Sequence, residues 1–186
     1  MTATSNVIEN PITGERFVIL KSVQDTKGEL LQMDFFMRPH GFIAGEHIHP
    51  HQEEHFRVLS GMLRFRIGGR EQIVNAGQEA VVPPGTPHVW WNDGDYESHL
   101  IIEFRPALKT QHFFETLFGL ARDGKADKRG RPNPLQIAVI ALEYKDEVQP
   151  SLPMDRLLFG ALLPILAPIG RLLGYKARYP QYSNIE

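Results

Sequence analysis

Apolar and polar side chains alternate in short runs through the first 106 residues, and turn-forming residues separate the runs. Successive side chains of a strand point to opposite faces of its sheet, so an alternating run predicts a half-buried strand. The runs of this kind are 17–19, 30–38, 54–59, 63–67, 79–82 and 98–105. Closely spaced strands with no helical period between them predict a mainly β chain, folded as an antiparallel sandwich or barrel.

The hydrophobic period changes after Pro106. Apolar residues then recur at helical spacing in two stretches, which a charged loop separates: 107–122 and 134–148. We therefore predict a β-barrel over residues 1–106 and a C-terminal α-helical extension over residues 107–186. The extension is expected to pack on the barrel or on a partner subunit.

An uncharged stretch runs from Leu157 to Gly170. It is shorter than the ~20 apolar residues that a membrane-spanning helix needs, and Pro164 and Pro168 should interrupt it. We predict a helix that is buried or faces a second subunit. The alternative is membrane-surface contact through residues 157–170, with four basic side chains near anionic headgroups: Arg156, Arg171, Lys176 and Arg178.

Composition and charge limit the binding partners and the cellular location that we expect. The 186 residues carry a net charge of −2 and have a sequence pI near 6.4, so nucleic-acid binding is not expected. There is no cysteine, so any metal must be held by nitrogen and oxygen atoms. The stretch from Met1 to Ile8 lacks the basic patch and the apolar run of a secretory signal, which makes cytoplasmic residence the expectation.

Candidate metal ligands begin with His47 and His49, which one residue separates. On a strand, both imidazoles would point to the same face. After a turn at Pro50, Glu54 begins a second strand, and we expect its carboxylate to face the two histidines across a hairpin. Histidine nitrogens and carboxylate oxygens are common ligands of divalent transition metals.

His88 is the first side chain after a proline-rich turn, Pro83-Pro84-Gly85-Thr86-Pro87. Neither a helix nor a central strand could contain this turn. A rigid turn determines where the next strand begins, and therefore the direction of the imidazole, at little entropic cost. We expect His88 to be a fourth, preorganised ligand.

Strand parity also predicts an apolar wall beside the candidate ligands. Phe56 continues the face of Glu54, and Trp90 lies two residues after His88, so both rings are expected to point inward. Such a wall would suit substrate binding, in particular of a planar organic molecule. The alternative is that Phe56 and Trp90 only fill the barrel interior.

Two spaced motifs contain the four candidate ligands. The first is Gly41-x5-His47-x-His49-x4-Glu54-x6-Gly61, and the second is Gly77-x5-Pro83-x-Gly85-x2-His88-x3-Asn92. Over residues 41–92 they resemble the two motifs of the cupin superfamily, with every position filled. The resemblance implies an antiparallel jelly-roll β-barrel with one divalent metal ion on four ligands: His47, His49, Glu54 and His88. The stretch after Ala107 resembles the helical tail of small bacterial cupin-domain proteins.

The implied site suggests a function. Three imidazoles and one carboxylate leave two positions of an octahedral ion open for water, dioxygen or a small-molecule ligand, and they do not select among iron, manganese, nickel, copper and zinc. We predict a metal-dependent enzyme, a dioxygenase or else an isomerase, acting on a small oxygenated organic molecule. The alternatives are a non-catalytic ligand-binding or sensing module and a degenerate cupin whose ion merely stabilises the fold.

Other residues add less to this picture. No second acid–base group stands at a motif position, so catalytic residues beyond the metal and Glu54 are unknown. Because cupins commonly pair through barrel edges, the resemblance implies a homodimer. The remaining histidines are expected to be solvated or capping residues: His40, His51, His55, His99 and His112.

Overall fold

The computed structural model describes residues 7–43 and 45–183. Residues 1–6 and 184–186, at the outer ends of the two predicted domains, lie outside the described residues, as does most of the stretch examined for a secretory signal. In the described ranges the strands are β1 (Val7–Asn10), β2 (Glu15–Lys21), β3 (Leu31–Met37), β4 (His47–Ile48), β5 (Glu53–Ser60), β6 (Met62–Ile67), β7 (Arg70–Asn75), β8 (Glu79–Val82), β9 (His88–Trp91), β10 (Ser98–Arg105) and β11 (Gln149–Pro150).

The strands form two antiparallel sheets. One has the order β1-β2-β3-β10-β5-β8, and the other has the order β11-β4-β9-β6-β7. In β3 the buried side chains alternate with partly exposed ones, as the sequence pattern predicts. The core between the sheets is rich in fully buried aromatic rings, among them Phe17, Phe35 and Phe65. The predicted mainly β, antiparallel jelly-roll fold is confirmed.

The relation between β4 and β5 differs from the expectation. β4 pairs with β9, and β5 pairs with β10 and β8, so the two strands belong to different sheets. The turn after His49 passes from one sheet to the other. The prediction that Glu54 faces His47 and His49 across a hairpin is therefore wrong: Glu54 faces them across the space between the two sheets.

The C-terminal part contains α1 (Thr110–Arg122), α2 (Pro134–Glu143) and α3 (Pro153–Leu172), followed by a short 3-10 helix (Pro180–Tyr182). Helix α1 packs on the barrel, where the rings of Phe114 and Phe118 contact Phe17 at centroid distances of 5.6 and 5.3 Å. Helices α2 and α3 pack on each other around a second apolar core that includes Val139 and Ala167. The division into two domains at residue 106 stays a prediction.

Helix α3 corrects two expectations about residues 157–170. The helix continues through Pro164 and Pro168, so the predicted interruption is wrong. Both prolines lie four residues apart on the exposed side, where water can bind the carbonyl groups that they leave without an amide donor. Burial within the chain is wrong for most of this stretch, since Leu157 is 67% and Ile165 is 60% exposed. By length and composition α3 could cross a membrane, a test that core helices of soluble proteins also pass.

Strand β11 was not predicted. It follows α2 and pairs antiparallel with β4, with Gln149 opposite Ile48 and Pro150 opposite His47. Two residues are too few to show a period in the sequence. As a result, the C-terminal part supplies the edge strand beside the first candidate ligand.

Candidate metal centre

Four side chains converge between the two sheets: His47, His49, Glu54 and His88. One ligand atom from each lies within 4.8 Å of the others. Oε2 of Glu54 lies 2.9 Å from Nε2 of His88 and 3.3 Å from Nε2 of His49. His49, Glu54 and His88 are buried, and His47 is partly exposed. The structure thus brings together all four residues predicted as metal ligands.

Backbone pairing holds the histidines in place. His47 of β4 lies directly opposite His88 of β9. The carbonyl of His49 accepts a hydrogen bond from the backbone N–H of Gly85, at 2.8 Å, and Gly85 has a φ of +73°, which favours glycine. The proline-rich turn therefore positions the backbone of His49 as well as the start of the strand that carries His88.

A backbone carbonyl sets the tautomer of each imidazole. Nδ1 of His47 lies 2.9 Å from the Gly45 carbonyl, and Nδ1 of His88 lies 3.0 Å from the Thr86 carbonyl. Nδ1 of His49 lies 2.5 Å from the carbonyl of Glu147, in the loop between α2 and β11. Because a carbonyl oxygen only accepts hydrogen bonds, all three Nδ1 atoms must carry the proton. Each Nε2 is then the atom that remains to bind a metal.

His49 shows most directly that the donor set fits a cation. Its Nε2 is buried and has no hydrogen-bond partner among the described residues, although the Glu54 carboxylate is 3.3 Å away. A buried nitrogen lone pair without a donor is costly unless a ligand satisfies it. Ligands at about 2.0–2.2 Å from one ion can be at most about 4.4 Å apart, so small side-chain shifts would bring this cluster to metal-binding distances.

Burial and mutual charge shift the protonation of the cluster. Desolvation, with repulsion from His88 and His49, lowers the pKa of His47 to about 3. Burial alone would raise the pKa of the Glu54 carboxyl, but its interactions with His49 and His88 outweigh burial and hold that pKa well below its usual range. For His88, burial would lower the pKa, but the Glu54 carboxylate outweighs it and raises that pKa. A proton and a metal ion would therefore compete for Nε2 of His88.

Phe56 and Trp90 point inward, as strand parity predicts, and are 0% and 2% exposed. Their rings pack on each other with centroids 5.5 Å apart, and both pack on Phe65. Trp90 also borders a surface cavity of about 390 Å³, whose lining includes none of the four cluster residues. Core packing accounts for the burial of both rings, and a role of either in substrate binding stays a prediction.

Four other histidines contact carboxylates away from the cluster: His51 with Asp146, His55 with Glu79, His99 with Asp34 and His112 with Glu115. Sequence reasoning missed Glu147, whose contribution is a backbone carbonyl and leaves no trace in residue type. It also missed Gln52, a buried turn residue whose side-chain amide donates hydrogen bonds to the Pro106 and Ala107 carbonyls at the start of the helical part.

Sequence comparison finds one matching domain family and two similar curated proteins. Residues 33–102 match a family model described as a cupin domain. The chain is 28% identical over 152 residues to an oxidoreductase of Arthrobotrys oligospora, covering 75% of this chain and 59% of that protein. It is 26% identical over 145 residues to the probable oxidoreductase virH of Hypocrea virens, covering 73% and 66%. The chain thus spans about three fifths to two thirds of the length of these relatives.

Solved structures show similarity over about half of the chain. KdgF from Halomonas sp. has a TM-score of 0.49 and 16% identity, covering 56% of this chain and 89% of that one. A predicted oxalate decarboxylase from Thermotoga maritima has a TM-score of 0.48 and 20% identity, covering 54% and 90%.

Proposed function

We propose that this chain, whose residues 33–102 match a cupin domain, is a metal-dependent oxidoreductase of the dioxygenase type, acting on a small oxygenated organic molecule. One observation carries the proposal: three imidazoles, each with its Nδ1 on a backbone carbonyl, converge with the carboxylate of Glu54, and one ligand atom from each of the four residues lies within 4.8 Å of the others. An isomerase acting on the same kind of molecule is the less favoured reaction class.

The residues of the cluster have separate tasks in this proposal. His47, His49 and His88 would bind the ion through Nε2, and Glu54 would add a negative charge that lowers the net charge of the site. Burial of His49, Glu54 and His88 keeps bulk water away, which strengthens electrostatic interactions inside the site. A bound divalent ion would supply Lewis acidity and, if it is a redox metal, the capacity to react with dioxygen.

The reaction class has support from the curated relatives, which are both named oxidoreductases and align with about three quarters of this chain. The metal is proposed to be iron, manganese, nickel, copper or zinc, because a nitrogen and oxygen donor set accepts all of them. Elemental analysis of protein from the native host would identify the metal, and thereby distinguish a redox reaction from a non-redox one.

The proposal is tested by loading the metal-free protein anaerobically with Fe(II), Mn(II), Ni(II) or Cu(II). Oxygen uptake is then measured with flavonols, diketones and catechols. We expect turnover with at least one combination, loss of turnover in His88→Ala, and retention in His55→Ala, which removes an imidazole next to Glu54 on the opposite face of β5. Absence of turnover in every combination would contradict an oxygen-dependent enzyme.

A second candidate function is a non-catalytic ligand-binding or sensing module, in which the ion orients a ligand. The cluster is compatible with it, because four converging side chains can hold an ion that orients a ligand without any further catalytic group. In this case small metabolites should bind the metal-loaded protein more tightly than the metal-free protein or His88→Ala. Equal binding to all three forms would count against this function.

The exposed apolar side of α3 is proposed to be covered in a homodimer, and contact with a membrane surface is the alternative. Leu157, Leu162 and Ile165 are each about half exposed or more. Light scattering after size exclusion should give twice the mass of the chain, and Leu162→Ser with Ile165→Ser should shift it toward the monomer. Sedimentation of the protein together with anionic vesicles would instead favour contact of α3 with a membrane surface. Cytoplasmic residence stays an expectation.

A further inference from the structure

Residues 147–150, here called the return segment, connect the C-terminal part with the candidate metal centre. The Glu147 carbonyl accepts the hydrogen bond from Nδ1 of His49, and the two residues are 98 positions apart in the sequence. Strand β11, at the end of the same segment, pairs with the strand that carries His47. Two of the three candidate histidine ligands are therefore in contact with the return segment.

The side chain of Glu147 anchors this segment. It is 3% exposed, and its Oε1 accepts a hydrogen bond from the backbone N–H of Lys109, at 3.0 Å. Lys109 is the residue before α1, and its own side chain does not cap the helix. The carboxylate of Glu147 thus occupies the N-terminus of α1, where N–H groups need acceptors and negative charge is favoured. Because α1 packs on the barrel core through Phe118, the anchor is firmly placed.

His47 and His88 do not depend on this anchor for their tautomers, since each donates to a carbonyl two positions earlier in the sequence. His49 has its Nδ1 acceptor in the return segment. The Phe104 ring, with its centroid 5.3 Å from that of His49, packs against the imidazole but cannot choose which nitrogen carries the proton. The contact with Glu147 is therefore what assigns the proton to Nδ1 of His49.

We propose that Glu147 is a positioning residue for the metal centre. Its side-chain carboxylate is held at the start of α1, and this places the backbone carbonyl of Glu147 at Nδ1 of His49. Nε2 of His49 then remains available to a cation. Cation binding by Nε2 of His49 rests on the proposed metal function, whereas the orientation of the imidazole rests on the hydrogen bond to Glu147 alone. It makes the C-terminal part a component of the site and not an appendage.

Three variants test the proposal. Glu147→Ala removes the anchor, whereas Glu147→Gln retains a side-chain oxygen that can accept from the Lys109 N–H. Glu143→Ala is the matched control, because it removes a nearby carboxylate that pairs with Nζ of Lys109 and does not touch the cluster. Loss of a group that supports a metal ligand typically weakens metal binding by roughly 10–100-fold.

The first measurement is ¹⁵N NMR of the histidine side chains in the metal-free protein at pH 8, with His49 assigned by its absence in His49→Ala. We expect the Nδ1–H tautomer for His49 in wild type, Glu147→Gln and Glu143→Ala, and a mixture of tautomers in Glu147→Ala. An Nε2–H tautomer in wild type would overturn the proposal without any variant. So would an unchanged His49 signal in Glu147→Ala.

The second measurement is zinc affinity by competition with a chelator. We expect a decrease of roughly 10–100-fold in Glu147→Ala and wild-type affinity in Glu147→Gln and Glu143→Ala. Equal weakening in Glu147→Gln and Glu147→Ala would overturn the anchoring role. If wild type binds no zinc while its His49 tautomer is as expected, the proposed metal function fails and the positioning of His49 by Glu147 stands.

Discussion

The imidazoles of the cluster are held by two different regions of the molecule. His47 and His88 each donate from Nδ1 to a carbonyl in the turn that precedes their own strand, at Gly45 and Thr86. His49 donates to Glu147, between α2 and β11. The barrel thus orients two of the histidines by local chain geometry, and the C-terminal part orients the third.

This difference shows that the cluster couples two parts of the fold. Local hydrogen bonds within a turn form whenever the turn forms, whereas the contact between His49 and Glu147 requires α1, α2 and β11 to be in place. Ligand binding and docking of the return segment should therefore be linked, because a coupling free energy acts in both directions.

Removal of a locally held ligand should weaken metal binding more than any other change. His88→Ala deletes an imidazole and the partner of Glu54, so we expect zinc affinity to fall by more than the ~100-fold upper range for supporting groups such as Glu147. Isothermal titration calorimetry measures it, with His55→Ala as the control that keeps affinity. Nearly equal affinities for His88→Ala and wild type would rule out His88 as a ligand.

Acidification should weaken metal binding by the cluster. The folded pKa of His47 is about 3, below its ordinary value of 6.5, so its stabilisation is lost as pH falls below about 6.5. The pKa of Glu54 is also depressed, and its stabilisation is lost only as pH falls below about 4.5. His88, with a raised pKa, has the opposite sign, and its contribution is lost as pH rises. Protons also compete with metal for all three imidazoles.

Zinc affinity, measured by competition with a chelator, should decrease from pH 7 to pH 5. Affinity that is constant over this range would mean that the histidines do not bind the ion.

Metal removal should affect the return segment as well as overall stability. At free metal about 100-fold above Kd, binding adds on the order of 3 kcal/mol, so a chelator should lower the Tm by roughly 5–10 °C for a chain of this size. Hydrogen exchange should show that metal protects residues 144–150 and leaves the β1–β2 hairpin unchanged. Equal protection of both regions would argue against a specific link between the cluster and the C-terminal part.

Glu15, in the β1–β2 hairpin, should have the smallest effect on stability. Its dependence on pH should have the opposite sign to that of His47 and Glu54. Burial raises the pKa of its carboxyl to about 7, despite a hydrogen bond from Thr13. The folded chain therefore binds the extra proton, and stability is lost as pH rises from about 4.5 through 7. Glu15→Gln should remove this loss and stabilise the protein at pH 8 by about 1–3 kcal/mol, as measured by urea unfolding. Equal stability of the variant and wild type at pH 8 would show that burial of the ionised Glu15 carboxylate does not destabilise the fold.

The parts of the site that depend on short-range geometry could be predicted from the sequence. Alternation in β5 predicts that Glu54 and Phe56 face inward, and the proline-rich turn predicts the direction of His88. Both predictions are confirmed because side-chain parity and turn stiffness act over a few residues. The resemblance to cupin motifs adds the expectation that the four side chains converge, which the structure bears out.

The features that depend on distant backbone could not be predicted, because they arise from contacts that form only in the folded chain. In the folded chain Glu54 faces the histidines from the other sheet, α3 continues through two prolines, and the Glu147 carbonyl contacts His49. A backbone carbonyl is the same in every residue, so no sequence pattern marks the one that accepts from His49. Packing of α1 and pairing of β11 bring that carbonyl into place, and these contacts join residues about a hundred positions apart.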